Sequence, residues 1–221
     1  MKHDAFATSR ALFWAVVSTT AGVFIGMSVL RLALGRSAEH AMSDTGLLAV
    51  IAVEMAMAAW WVPRLARHGW TLRGVTLPLA PRDFPVGVGI VAVSLLAYWM
   101  FFIAVALVVP DFARAASAAP VGGRVSWWAV AIMSIVNPIA EEFIYLGFVV
   151  NALRREGLPM AFSASVVIRV LVHLYQGPIG VISNIPLGSV LALSYLATGR
   201  LWPAVIAHGI LDVIGLWSLV Q

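Results

Sequence analysis

Seven stretches of this chain are apolar for long enough to cross a lipid bilayer, and that property restricts the fold before any motif is considered. They cover about residues 11–34, 45–63, 85–109, 127–152, 159–175, 178–198 and 201–219. A helix rising 1.5 Å per residue needs about 20 apolar residues to traverse ~30 Å of hydrocarbon. Inside lipid each peptide N–H and C=O must find its partner within the segment, so such runs become helices. Composition agrees: 62% of the 221 residues are hydrophobic and 11% are charged. A soluble domain would be roughly half apolar and a quarter charged. The expectation is an all-α polytopic transmembrane helix bundle of about seven spans (six to eight), forming a single integral membrane domain over residues 1–221.

The first run follows Lys2 and Arg10, as a signal peptide would. Its length, its lack of a small-x-small cleavage site and the six runs after it favour an uncleaved span. With seven spans, the N-terminal side carries Lys2, Arg10, Arg64, Arg67, Arg73, Arg82, Arg154, Arg155 and Arg200, and the opposite side Arg31, Arg36, Arg114 and Arg124. This excess places the N-terminus in the cytoplasm. The net charge of +4 is then a topology signal and does not point to nucleic acid. An arginine-, alanine- and valine-rich composition suggests a bacterial protein of the plasma (inner) membrane. Trp60, Trp61, Trp127, Trp128 and Trp202 fall near span ends, where indole rings prefer the interface. With no cysteine, disulfides and thiolate metal sites are excluded.

Seven ionisable residues remain inside the apolar runs: Glu54, Glu141, Glu142, Arg169, His173, His208 and Asp212. A mid-bilayer charge costs about 2.5–3.5 kcal/mol on insertion scales. These groups must therefore face one another or a wet cavity. Arg169 and His173 are four residues apart and share a helix face, as do His208 and Asp212. Glu141 and Glu142 diverge by ~100° around their helix. Pro138, just before them, loosens the helix and frees backbone groups. Two imidazoles with two or three carboxylates in a low-dielectric pocket suit activation of a water molecule. No serine is obviously paired with the histidines, which leaves nucleophilic catalysis less supported. Glu54 stands outside this grouping and reads as structural. Asn184 and Pro186 read either as a break in the sixth helix or as an interface feature.

The segments "AEEFIYLG", "RVLVHLYQG" and "LWPAVIAHGILD" resemble the three ordered motifs of the CAAX protease and bacteriocin-processing family of intramembrane endopeptidases, over residues 126–219. The family pattern is Glu-Glu-x-x-x-Arg, then Phe-x-x-x-His, then His-x-x-x-Asn/Asp. Glu141 and Glu142 match the first motif, His173 the second, and His208 with Asp212 the third. The resemblance implies that Glu141 and His173 hold the attacking water as general base, and that His208 and Asp212 stabilise the oxyanion. It implies a peptide or membrane-protein substrate met in contact with membrane lipid. It implies either a glutamate-dependent enzyme or a metalloprotease. A divalent ion such as zinc would take Glu141, His173 and His208, acceptable ligands that lack His-Glu-x-x-His spacing.

Two positions depart from the pattern: the first-motif arginine is Leu146 and the second-motif phenylalanine is Arg169. An exchange is expected, with Arg169 supplying the cation for Glu142. The alternatives to an endopeptidase are a catalytically silent member acting as a bacteriocin-immunity or scaffold protein, and a proton-coupled transporter. Helix depths counted at 1.5 Å per residue put His173 ~11 Å deeper than His208. That mismatch calls for a fifth helix starting near Ser163, or for a turn at Arg154–Arg155 that dips into the membrane.

Overall fold

The structure is a computed structural model that describes residues 8–35, 42–118 and 123–220. Lys2 and Arg36, which enter the charge balance, lie outside the described residues. The elements in chain order are α1 (Arg10–Thr19), α2 (Ala21–Ala33), α3 (Asp44–Arg67), α4 (Leu72–Val75), α5 (Asp83–Val108), α6 (Pro110–Ala118) and α7 (Trp127–Glu142). A π-helical stretch, Phe143–Val150, and α8 (Asn151–Leu153) continue α7, and α9 (Leu158–Val172), α10 (Pro178–Thr198) and α11 (Trp202–Leu216) complete the bundle. Among the described residues no strand forms beyond one bridge between Val125 and Val220.

Each of the seven apolar runs is helical, but not each is a full span. Five helical stretches are long and apolar enough to cross a membrane: 44–67, 83–108, 127–156, 178–198 and 202–219. The first run is two helices meeting at 43°. No proline causes this bend. Ser18, Thr19 and Thr20 each turn a hydroxyl back onto the carbonyl four residues earlier, at 2.6, 2.5 and 2.7 Å, which competes with the backbone ladder. The fifth run is a helix of 15 residues. It starts at Leu158, behind Gly157 at φ +112° and with Pro159 in its first turn, so the expected start near Ser163 is not met.

The outward surfaces are apolar, as lipid requires. Leu96, Trp99, Met100, Ile103 and Leu107 of α5 all project outward. Inside, α11 packs between α5 and α7, α3 lies on α7, and α9 lies on α10 and the π-helical stretch. Gly87 permits a close α5–α11 approach, since a β-carbon there would lie 2.8 Å from Ile206. The main apolar cluster joins Ile90, Leu146, Leu191, Tyr195, Val205 and Ala207. Leu146 therefore fills a fully buried apolar position in this cluster.

A polar clamp closes one end of the bundle. Arg200, between α10 and α11, donates from Nε and Nη2 to the two oxygens of Asp83, each at 2.6 Å, and from Nη2 to the Pro78 carbonyl at 3.0 Å. Leu201 N–H donates to Thr76, and the Tyr195 hydroxyl donates to the Val75 carbonyl. Hydrogen bonding by Asp83 pushes the Arg200 guanidinium further above its ordinary range, so it stays charged. Removing one partner of such a pair leaves the other charge uncompensated. Arg200→Ala is expected to destabilise the protein by about 3 kcal/mol. Arg200→Lys should recover only part, because an ammonium lacks the planar fork. Thermal unfolding of purified protein in detergent measures both.

Candidate active site

The site is built where two pairs of helices, α7 with α11 and α9 with α10, are allowed unusually close to one another. In α7, Pro138 has no N–H to give the Ser134 carbonyl one turn back. Gly209 of α11 rests against that freed oxygen, with no room there for a β-carbon. This crossing sets His208 beside the two glutamates. From the other side comes Arg169, near the end of α9, passing over Gly188 of α10. A β-carbon on Gly188 would lie 2.9 Å from the arginine Cδ.

Arg169 is 2% exposed and Glu142 is fully buried. Arg169 Nη2 donates to both oxygens of Glu142, at 2.7 and 2.8 Å, while Nη1 reaches Glu141 Oε2 at 3.3 Å. The guanidinium carbon lies 4.9 Å from the centre of the Tyr145 ring. The expected exchange of arginine position is thus a geometric fact: the cation missing at Leu146 arrives from Arg169. The two carboxylates diverge as their positions on the helix dictate. Glu142 turns into the protein, and Glu141 lies on the wall of two cavities.

The histidines differ in environment. His208 Nδ1 lies 2.6 Å from Glu142 Oε1, whereas its Nε2 lies 3.5 Å from Asp212 Oδ1. The expected helix-face partner Asp212 is therefore the looser of the two, and Glu142 orients the ring. One Asp212 oxygen, Oδ2, is buried without a hydrogen-bond partner. His173 caps α9, with Nδ1 2.8 Å from the Arg169 carbonyl. A carbonyl only accepts, so Nδ1 carries the proton and, in the neutral ring, Nε2 is left as an acceptor. His173 lines two cavities of about 280 and 330 Å³ whose walls mix polar with apolar groups, sharing the first with Glu141 and both with Asp212.

A third cavity, about 410 Å³, is mostly apolar and lies between the α1–α2 bend, α3, α7 and the start of α11. Two acids line it, Glu141 and Glu54. Glu54 was expected to be structural and separate, but the fold brings it to the site. It is 5% exposed, and its Oε1 accepts from Asn137 Nδ2 at 2.6 Å. Asn137 is one turn before Glu141, on the same helix face. The only warning in the sequence was the cost of a lone intramembrane acid. Asn184 stays within a continuous α10, donating to the Gly180 carbonyl at 2.9 Å, so the sixth helix is not broken.

As a metal site the expected set of Glu141, His173 and His208 is not assembled. Among the described residues, the donors that converge are Glu141, Glu142 and His208, with ligand atoms within 4.8 Å of one another. The same oxygens of Glu142, and one of Glu141, already accept hydrogen bonds from Arg169. A divalent ion would sit against a fixed guanidinium, so this donor set does not fit one.

Fold and site together define a polytopic helical membrane protein with an acid–imidazole centre buried between its helices. Residues 123–214 match the family described as Rce1-like, type II CAAX prenyl endopeptidase Rce1-like, and this stretch holds all three motifs. Over this stretch, which is less than half of the chain, the protein is similar to the CAAX-type intramembrane proteases. No curated protein and no solved structure matches the chain.

Arg169→Ala is expected to cost about 3–5 kcal/mol, because it strands a sealed carboxylate. Gly188→Val should act in the same direction by driving the arginine off its carboxylates. Thermal unfolding in detergent checks both, and the effects of the two changes combined should be less than additive.

Proposed function

We propose that this protein is an intramembrane endopeptidase that hydrolyses a peptide bond with water activated by Glu141. The observation that carries this reading is the unequal fate of the adjacent acids. Glu142 is consumed by Arg169 and His208 in the dry interior, whereas Glu141 keeps one oxygen, Oε1, outside these bonds on a cavity wall. A structural pair would gain nothing from leaving one acid facing a cavity.

In this reading Glu141 accepts the proton of the attacking water, and His173 Nε2 orients that water from the shared cavity. His208, with a carboxylate at each nitrogen, supports the negative charge that develops on the carbonyl oxygen. Arg169 and Glu142 hold the other groups in place and touch no substrate. The apolar cavity receives an apolar segment of a peptide or membrane-protein substrate. In this reading the N-terminus faces the cytoplasm of a bacterial inner membrane, the orientation expected from the basic residues when seven spans are counted.

Purified wild type and Glu141→Ala, incubated with a peptide library in detergent, test the reading. Cleavage should fall by at least ~10³-fold in the variant, at the scale expected for losing a positioned base. Its thermal stability should stay near wild type, since the strong bonds of Arg169 go to Glu142. Chelator should leave wild-type cleavage intact. Equal cleavage by both proteins would overturn the role of Glu141, and inertness of both would favour a silent family member.

A further inference from the structure

Glu54 is a buried carboxyl group that the mechanism above leaves unused, and it lies outside the matched segment. It comes from α3, which forms the wall of the cavities opposite α7. It lines the same two cavities as Glu141. Its Oε1 is held by Asn137 at 2.6 Å. Its Oε2 is buried and has no hydrogen-bond partner. Asn137 and Glu141 are successive residues on one helix face, about 5–6 Å apart at Cβ. The two acids therefore line the same two cavities from facing helices.

The local charges distinguish their states. Arg169 is matched by Glu142 and Glu141. His208 is matched by Glu142 and Asp212. Glu54 has an amide donor and, among the described residues, no cation in contact. A carboxyl group taken out of water without a cation keeps its proton instead of its charge. The atom left to carry that proton is the unpartnered Oε2.

We propose that Glu54 is the general acid of this reaction, giving its proton to the nitrogen of the scissile amide. The inference rests on the endopeptidase reading. Water attacks the carbonyl carbon, its O–H bond breaks, and Glu141 takes the proton. The tetrahedral intermediate then collapses. As the C–N bond breaks, the proton of Glu54 moves to nitrogen, so an amine departs in place of an amide anion. Glu141 returns its proton to the Glu54 carboxylate across the cavities they share, and the net change is amide plus water to acid plus amine. Two carboxyl groups in unlike surroundings thus divide acid and base work.

The test compares two leaving groups. A peptide cleaved in the library experiment is paired with its aryl-ester counterpart, in which a phenolic oxygen replaces the scissile N–H. A phenolate departs without a proton. The full chain in detergent is assayed as wild type, Glu54→Gln, Glu54→Asp and Glu141→Ala. Gln keeps an oxygen to accept from Asn137 and removes only the acid. Glu54→Gln should lower kcat on the amide by ~10²- to 10³-fold, and on the ester by no more than about threefold. Glu54→Asp should restore part of the amide activity. Equal losses on amide and ester, or an unchanged amide rate, would overturn the assignment. If Glu54→Gln fails to fold, the amide-to-ester ratio of Glu54→Asp decides, and a ratio equal to wild type overturns it. Glu141→Ala should lose both substrates. If it keeps them, the endopeptidase mechanism itself fails, a result distinct from failure of the acid assignment.

Discussion

A guanidinium cannot rest in the middle of a helix bundle without carboxylates within hydrogen-bond reach, and in this protein that requirement organises everything around Arg169. Its planar fork bonds both oxygens of Glu142 and touches Glu141, so α9 is tied to α7 at one point. Glu142 in turn holds His208 and so ties α11 to the same point. Three helices from separate parts of the chain are joined through one arginine and one fully buried acid. A pair of this kind adds little net stability over an apolar core, but breaking it is costly, which makes the arrangement specific.

That bond explains why the membrane holds two adjacent acids. One carboxylate alone could neutralise the arginine, or alone could face a cavity, but not both. On a helix, neighbours point about 100° apart. The pair therefore separates the structural task, given to Glu142, from a cavity-facing task, left to Glu141. Small residues make the geometry possible: Gly188 lets the arginine pass, and Gly209 lets α11 settle on the carbonyl that Pro138 frees.

Much of this was legible in the chain. Long apolar runs mark helices because lipid offers backbone groups no other partner. The concentration of Glu141, Glu142, Arg169, His173, His208 and Asp212 in the last runs marked a site, because each stray charge is expensive. The pairing of Arg169 with Glu142 followed from charge balance once Leu146 replaced the motif arginine. Less legible were partners set by rotation and approach. Asp212 shares a helix face with His208, yet the closer carboxylate is Glu142 from another helix. The 43° bend at Thr20 and the shortness of α9 also escaped a hydropathy reading, since hydroxyl back-bonding and a glycine–proline start change geometry without changing apolarity.

The sequence by itself determined the class of the molecule, its helical content and which polar side chains had to be sheltered, because transfer of charge and of unpaired peptide groups into hydrocarbon has a cost that does not depend on fold. The tertiary structure alone decided which sheltered group faces which. It set His208 on Glu142, brought Glu54 through Asn137 to the wall opposite Glu141, and left Asp212 with an unpartnered oxygen. Those choices depend on helix crossings measured in fractions of an ångström, at Gly188 and Gly209, and no one-dimensional pattern encodes the distance between residues that are far apart in the chain.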